Sequence, residues 1–211
     1  MSKEIQKILL FFLISYSIYC AIIIGETWDE GFHLNQGKIV LDYIFSFGEI
    51  DNHFLHREQF SAIYWSLSYL LTKQFPLQYQ IEVSHLINLI FSLSAIIGIG
   101  KLTQELFNKK VGKIVFLILF FYPVFFGHMA INSKDTIVAF SHVWITYLIL
   151  RYLKNQSFKN KTSKYIIFLA ILAALATGIQ LVFLGSLIPI ILFSLFDVFF
   201  VKKIVTKNFN L

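Results

Sequence analysis

Long apolar runs separated by short charged segments set the pattern of this 211-residue chain. A helix of about 17 to 25 apolar residues is long enough to cross a bilayer. Runs of this kind occupy 8–24, 83–100, 113–126 with its flanks, and 136–153. A last run covers 165–201. As one helix it would be about 55 Å long, against a hydrocarbon core of about 30 Å, so it is expected to fold back. Thr177, Gly178, Gln180, Gly185 and Pro189 interrupt it, and the simplest division gives spans at 165–182 and 186–201 with a turn near Gly185. The expected fold is all-α: a polytopic membrane helix bundle of about six transmembrane helices, one membrane domain over 1–211, with no soluble domain after the last span.

The segment 25–82 is too long for a connector and is expected to carry helices of its own. Positions 34–47 have the pattern of an amphipathic helix. Positions 60–72 are apolar but number only about 13, too few to span. Lying flat at the interface, this second helix would use Tyr64, Trp65 and Tyr69 as headgroup-level anchors and end at Pro76.

Charge fixes the orientation. With the N-terminus inside, the segments 1–7, 101–113, 151–164 and 202–211 hold 14 of the 18 lysines and arginines. Only Lys38, Arg57, Lys73 and Lys134 are left for the outer side. The chain is thus expected in the plasma (inner) membrane, with both termini cytoplasmic and its active face periplasmic or extracytoplasmic. Composition agrees. At 57% hydrophobic and 14% charged there is too little polar material to coat a soluble core, so lipid is the expected solvent. The net charge of +6 sits in short loops and not on an aromatic-bearing polar surface, which argues against nucleic acid. Cys20 is the single cysteine, so no intrachain disulfide or cysteine-based metal site can form. The first run lacks an Ala-x-Ala site after it and reads as a retained anchor.

On this topology the six histidines and nine of the twelve acids gather outside or in the outer parts of spans. The first cluster, Gly-Glu-Thr-Trp-Asp-Glu-Gly-Phe-His over 25–33, lies where the first span emerges. Asp29 and Glu30 fall at the membrane surface with His33 one helical turn away; the bland alternative is a solvated acidic loop. A carboxylate partly stripped of water is a better general base. The second cluster, 127–136, holds His128, Asn132, Lys134 and Asp135. Its bland reading has Ser133 capping the next helix and Asp135 favoured near that helix's N-terminus. His142 would lie deeper in the same helix. A third group, His53, His56, Arg57 and Glu58, precedes the interfacial helix; Arg57 could hold a phosphate in a planar fork, and the spacing matches no standard metal signature.

The Trp-Asp-Glu of 28–30 with His33 following resembles the first outer loop of the GT-C glycosyltransferases, within the protein O-mannosyltransferase-like group that includes bacterial undecaprenyl-phosphate-sugar transferases. The stretch 123–136, Pro-Val-Phe-Phe-Gly-His-Met-Ala-Ile-Asn-Ser-Lys-Asp-Thr, resembles that group's loop before the fourth helix. The run 176–180, Ala-Thr-Gly-Ile-Gln, is similar to a further element in which a basic residue is common where Gln180 stands. The resemblance covers the N-terminal part of the family only, so the chain reads as a short relative or a module with a separate C-terminal partner. It implies transfer of a sugar from a polyprenyl-phosphate carrier to a protein, lipid or glycan hydroxyl. Asp29 would be the base, Glu30 would shape the site and Asp135 would be its second acid. His33, His53, His56, Arg57, His128, Asn132, Lys134 and Gln180 would contact substrate. Lys134, Arg57 or a divalent cation near Asp29 and Asp135 could offset the charge on the leaving phosphate. Two other readings stand beside it. One is a non-catalytic relative that binds the carrier or a partner enzyme; the other is a small transporter, for which Gln180, His142 and the Gly/Pro breaks are the midplane hints.

Overall fold

A computed structural model describes residues 3–49, 63–154, 159–196 and 199–200. It is all-helical, with no strand among the described residues. In chain order the helices are α1 (Lys3–Ile23), α2 (Glu30–Phe45), α3 (Ile63–Thr72), α4 (Gln80–Leu106), α5 (Lys109–Phe120), α6 (Pro123–His128), α7 (Ser133–Lys154), α8 (Lys159–Thr177) and α9 (Phe183–Phe196). Among the described residues, three helical stretches are long and apolar enough to cross a membrane: Glu4–Ile23, Leu77–Leu106 and Ser133–Lys154. The apolar parts of α8 and α9, Lys164–Thr177 and Phe183–Phe196, are shorter.

The run expected as one span over 113–126 is broken. Pro123 clashes with a helical conformation at the residue before it, and Tyr122 accordingly turns out of the helix at φ −70°, ψ 112°. Asn108 starts α5 by accepting hydrogen bonds from the Lys110 and Val111 amides at 2.9 and 3.0 Å, so α5 ends after 12 residues and the short α6 follows. The last run also divides earlier than the sequence suggests. The helical bonds of α8 close on Ala174 and Ala176, the chain turns over 178–182, and Gly185 lies inside the first turn of α9.

Helix α4 is the hub: it packs against α1, α3, α5 and α7, and α7 in turn packs against α8 and α9. Ala21, Leu89, Ile96, Phe120 and Met129 form one core around it. Ile145, Leu172, Ala176, Phe183 and Leu187 join α7, α8 and α9. At the basic end Glu105 of α4 meets Arg151 and Lys154 of α7 at 2.8 and 3.2 Å, so the positive loops are tied together there. The opposite face of α1 leaves Ile8, Phe11, Phe12, Tyr16 and Ile23 exposed, as an apolar surface bathed by lipid requires.

Helix α3 does not present Tyr64 and Trp65 to the headgroups. Both are buried, between α2, α4 and α7, and they pack with Ile137 and Ile179. Gly37 makes this possible. A Cβ at that position would collide with the Trp65 carbonyl, so α2 and α3 touch backbone to backbone, and Ser66 Oγ donates to the Gly37 carbonyl at 3.3 Å.

Candidate functional site

The start of α2 and the turn before α7 face each other across a cleft of about 340 Å³. Asp29 and His33 line one wall; His128, Asn132, Lys134 and Asp135 line the other. Six of the residues expected to form the site are therefore brought together, from segments a hundred positions apart in the sequence. Trp28 is fully exposed at the rim, consistent with an anchor that fixes depth.

Asp29 precedes α2 and is half-exposed. Its Oδ2 lies 3.2 Å from His33 Nε2 and 3.6 Å from Lys134 Nζ. A carboxylate only accepts, so His33 carries its proton on Nε2, and Nδ1 is buried without a hydrogen-bond partner. The imidazole is sandwiched against the Trp65 indole, and Trp65 Nε1 donates to Ser133 Oγ at 3.0 Å. Burial pushes the His33 imidazole down; the Lys134 ammonium acts in the same sense, and the Asp29 carboxylate opposes both. His33 thus holds Asp29 as a neutral donor.

On the facing wall Asn132, and not Ser133, caps α7. Its Oδ1 accepts from the Asp135 amide at 3.2 Å, its Nδ2 donates to Asp135 Oδ2 at 2.8 Å, and its carbonyl accepts from the Thr136 amide. The cap bond to the Asp135 amide is thus joined by a side-chain bond between Asn132 and Asp135. Ser133 is free of that duty and receives Trp65 instead. His128 approaches Asn132 at 3.4 Å.

Glu30 stands apart from the cleft. It is buried, with Oε1 2.7 Å from Nε2 of His85, a fully buried residue of α4. His85 Nδ1 donates to the Ala21 carbonyl at 2.9 Å, which leaves Nε2 facing the Glu30 carboxyl. Burial, and then the Glu30 carboxylate, push the Tyr64 phenol up, which keeps it a donor. It donates to Asn88 Oδ1 at 3.3 Å.

His53, His56 and Arg57 lie outside the described residues. Gln180 sits in the turn 178–182, its amide bonded to the Ala176 carbonyl, and does not line the cleft. His142 is joined through Nδ1 to Ser186 Oγ of α9 at 3.3 Å. No group of three or more His, Cys, Asp or Glu that could hold a metal ion occurs among the described residues. Asp29 meets His33 and Lys134 through Oδ2, and Asp135 meets Asn132 through Oδ2.

The sequence reading passed over His85, Asn88 and Ser92. Their signal was available: three polar residues at i, i+3 and i+7 on one face of an otherwise apolar run.

Membrane-length apolar helices, with a polar cleft near their ends, mark an integral membrane protein. The sequence profile of the dolichyl-phosphate-mannose-protein mannosyltransferase family matches residues 64–210, and the chain belongs to that family of membrane glycosyltransferases. The match takes in the wall from His128 to Asp135 and begins after Asp29, Glu30 and His33. No curated protein and no solved structure matches the chain.

Proposed function

We propose that the chain transfers a sugar from a polyprenyl-phosphate carrier to a hydroxyl acceptor on the outer face of the membrane, with Asp29 as the general base. The observation that supports this most is the position of the Asp29 carboxylate: half-exposed at the mouth of a polar cleft, held by His33 and faced by Lys134. Asp29 takes the proton of the acceptor hydroxyl as its oxygen attacks the anomeric carbon. The bond from that carbon to the phosphate oxygen breaks, and the phosphate leaves with the electron pair. Lys134 offsets the charge that develops on it. His128, Asn132 and Asp135 offer donors and acceptors for sugar hydroxyls. His53, His56 and Arg57 of the first outer loop, and Gln180, complete the reading as carrier and sugar contacts.

The membrane arrangement belongs to the same reading. α1, α4, the α5–α6 pair, α7, α8 and α9 are six crossings, three of them short, with the basic loops in the cytoplasm and the cleft outside. The family's activity makes a protein hydroxyl the first acceptor to try.

The test is the whole chain reconstituted in lipid and supplied with dolichyl-phosphate mannose or an undecaprenyl-phosphate sugar, with sugar release and transfer to a hydroxyl peptide followed over time. Asp29→Asn is expected to lower turnover by about 10² to 10⁴-fold. Wild-type rates in both Asp29→Asn and Asp135→Asn would sink the assignment. Carrier binding without turnover in the unsubstituted chain would replace it with a carrier-binding role.

A further inference from the structure

The polar stripe of α4 reaches every element that builds the cleft. His85 holds the Ala21 carbonyl at the end of α1 and Glu30 at the start of α2. Asn88 accepts from Tyr64 of α3 and from Thr136 of α7, the latter at 3.0 Å, and donates to the Met129 carbonyl at 3.1 Å. Ser92 donates to the same carbonyl at 2.8 Å. All three side chains are buried, so each contact is made in a medium where a lost partner is costly. Asp29 adjoins Glu30, and Met129 adjoins His128. The two walls of the cleft are thereby hung from one helix, a single turn apart.

We propose that the His85–Asn88–Ser92 face of α4 is the positioning element of the cleft: His85 sets the Asp29 wall through Glu30, and Asn88 with Ser92 sets the His128–Asp135 wall through Met129 and Thr136. These are positioning residues, since none lines the cleft. The inference rests on the transfer reading for its kinetic consequence but not for its geometry. A close carboxylate partner on His85 Nε2 is the contact that matters for Asp29; the bond from Nδ1 to Ala21 serves only the packing of α1 on α4.

That distinction can be tested by amide replacement. In His85→Gln the side-chain amide reaches the place of Nε2 and keeps a donor for Glu30 while giving up Ala21. In His85→Asn it reaches the place of Nδ1 and keeps Ala21 while giving up Glu30. His85→Asn leaves the buried Glu30 carboxyl without its partner and His85→Gln leaves only a carbonyl, so unfolding temperatures will differ; a role in stability alone predicts similar turnover per folded chain for the two. The positioning role predicts that His85→Asn lowers kcat for sugar release by about 100-fold with little change in KM, while His85→Gln stays within several-fold of the unsubstituted chain. Equal loss in both, or greater loss in His85→Gln, overturns the proposal.

A second measurement does not depend on activity. Spin labels on Trp28→Cys and Val124→Cys, both exposed, are placed in a Cys20→Ala chain in lipid nanodiscs, and the distance between the walls is read by pulsed EPR. His85→Asn is expected to broaden or shift the distribution and His85→Gln to preserve it; an unchanged distribution in His85→Asn refutes the positioning role. Should His85→Asn not fold, the double variant Glu30→Gln/His85→Asn, which leaves no buried charge unpaired, takes its place with the same expectation. If the unsubstituted chain releases no sugar, the transfer reading fails alone and the distances still decide the positioning.

Discussion

The His33 imidazole lies flat on the Trp65 indole, with ring centroids 4.0 Å apart and planes 7° from parallel. The stack closes one face of the imidazole and Asp29 occupies its Nε2 edge, so water reaches the ring poorly and charging it is costly. His33 has a lowered pKa in the folded chain, chiefly through burial. The unfolded chain, with an ordinary imidazole near 6.5, binds more protons below that pH, so the contribution is intact above about 6.5 and is lost as pH falls through the folded value. Apparent thermal unfolding of the detergent-solubilised chain is expected to drop between neutral and mildly acid pH. His33→Gln should flatten that drop, and an identical pH profile in the variant would refute the account.

Lys134 lies 3.6 Å from Asp29, and both side chains are partly open to water. Their attraction is screened, and Lys134→Met is expected to cost under about 1 kcal/mol of stability. Its effect on the site is larger. The ammonium helps to push the His33 imidazole down, so its removal should raise the His33 pKa toward its ordinary value and make the acid loss of stability smaller. Turnover should fall by at least about 10-fold if Lys134 faces the leaving phosphate. Unfolding profiles against pH, taken beside sugar-release rates, check the two consequences separately.

Much of this was legible in the sequence, for identifiable reasons. Length and apolar content identify a membrane helix, and those marked α1, α4 and α7 directly. Local spacing put Asp29 beside His33, and the short loop put Asn132 beside Asp135. What failed were inferences from residue type without a partner in view. Tyr64 and Trp65 have the chemistry of headgroup anchors, but the missing side chain at Gly37 lets α2 close over α3 and turns both inward. Ser133 is a good cap, but Asn132 stands one position earlier with both a donor and an acceptor. Gly185 marks a break only if the chain has not already turned, and it turns at Gly178. Glu30 and His85 are 55 positions apart, and nothing local in either joins them.

The contact of α2 with α3 at Gly37 places Trp65 under His33. Gly37→Ala keeps or improves helix propensity, so any loss comes from the collision with the Trp65 backbone. Backbone cannot swing aside as a flexible side chain can, and the two helices must separate. A loss of about 1 to 3 kcal/mol is expected, together with loss of the His33-dependent pH profile. Gly25→Ala, where an added Cβ meets nothing within 4 Å, is the control. Equal unfolding temperatures for the two variants would rule out the backbone contact.

The orientation can be settled with the chain's own chemistry, because Cys20 is its single cysteine. In a Cys20→Ala background, Trp28→Cys puts a thiol on the exposed rim of the cleft and Lys110→Cys puts one in the first turn of α5. Lys109, Lys110 and Lys113 crowd the start of α5, beside the short loop from α4, and moving such a group of cations across the bilayer during insertion is what the positive-inside rule forbids. Glu105, Arg151 and Lys154 lie at the same end of α4 and α7, so the loop cannot change sides without taking that charged cluster with it. A membrane-impermeant maleimide added to intact cells should therefore label Trp28→Cys and leave Lys110→Cys unmodified until the membrane is opened. Labelling of Lys110→Cys in intact cells would put the cleft on the cytoplasmic side, where the proposed acceptor chemistry would have to be abandoned.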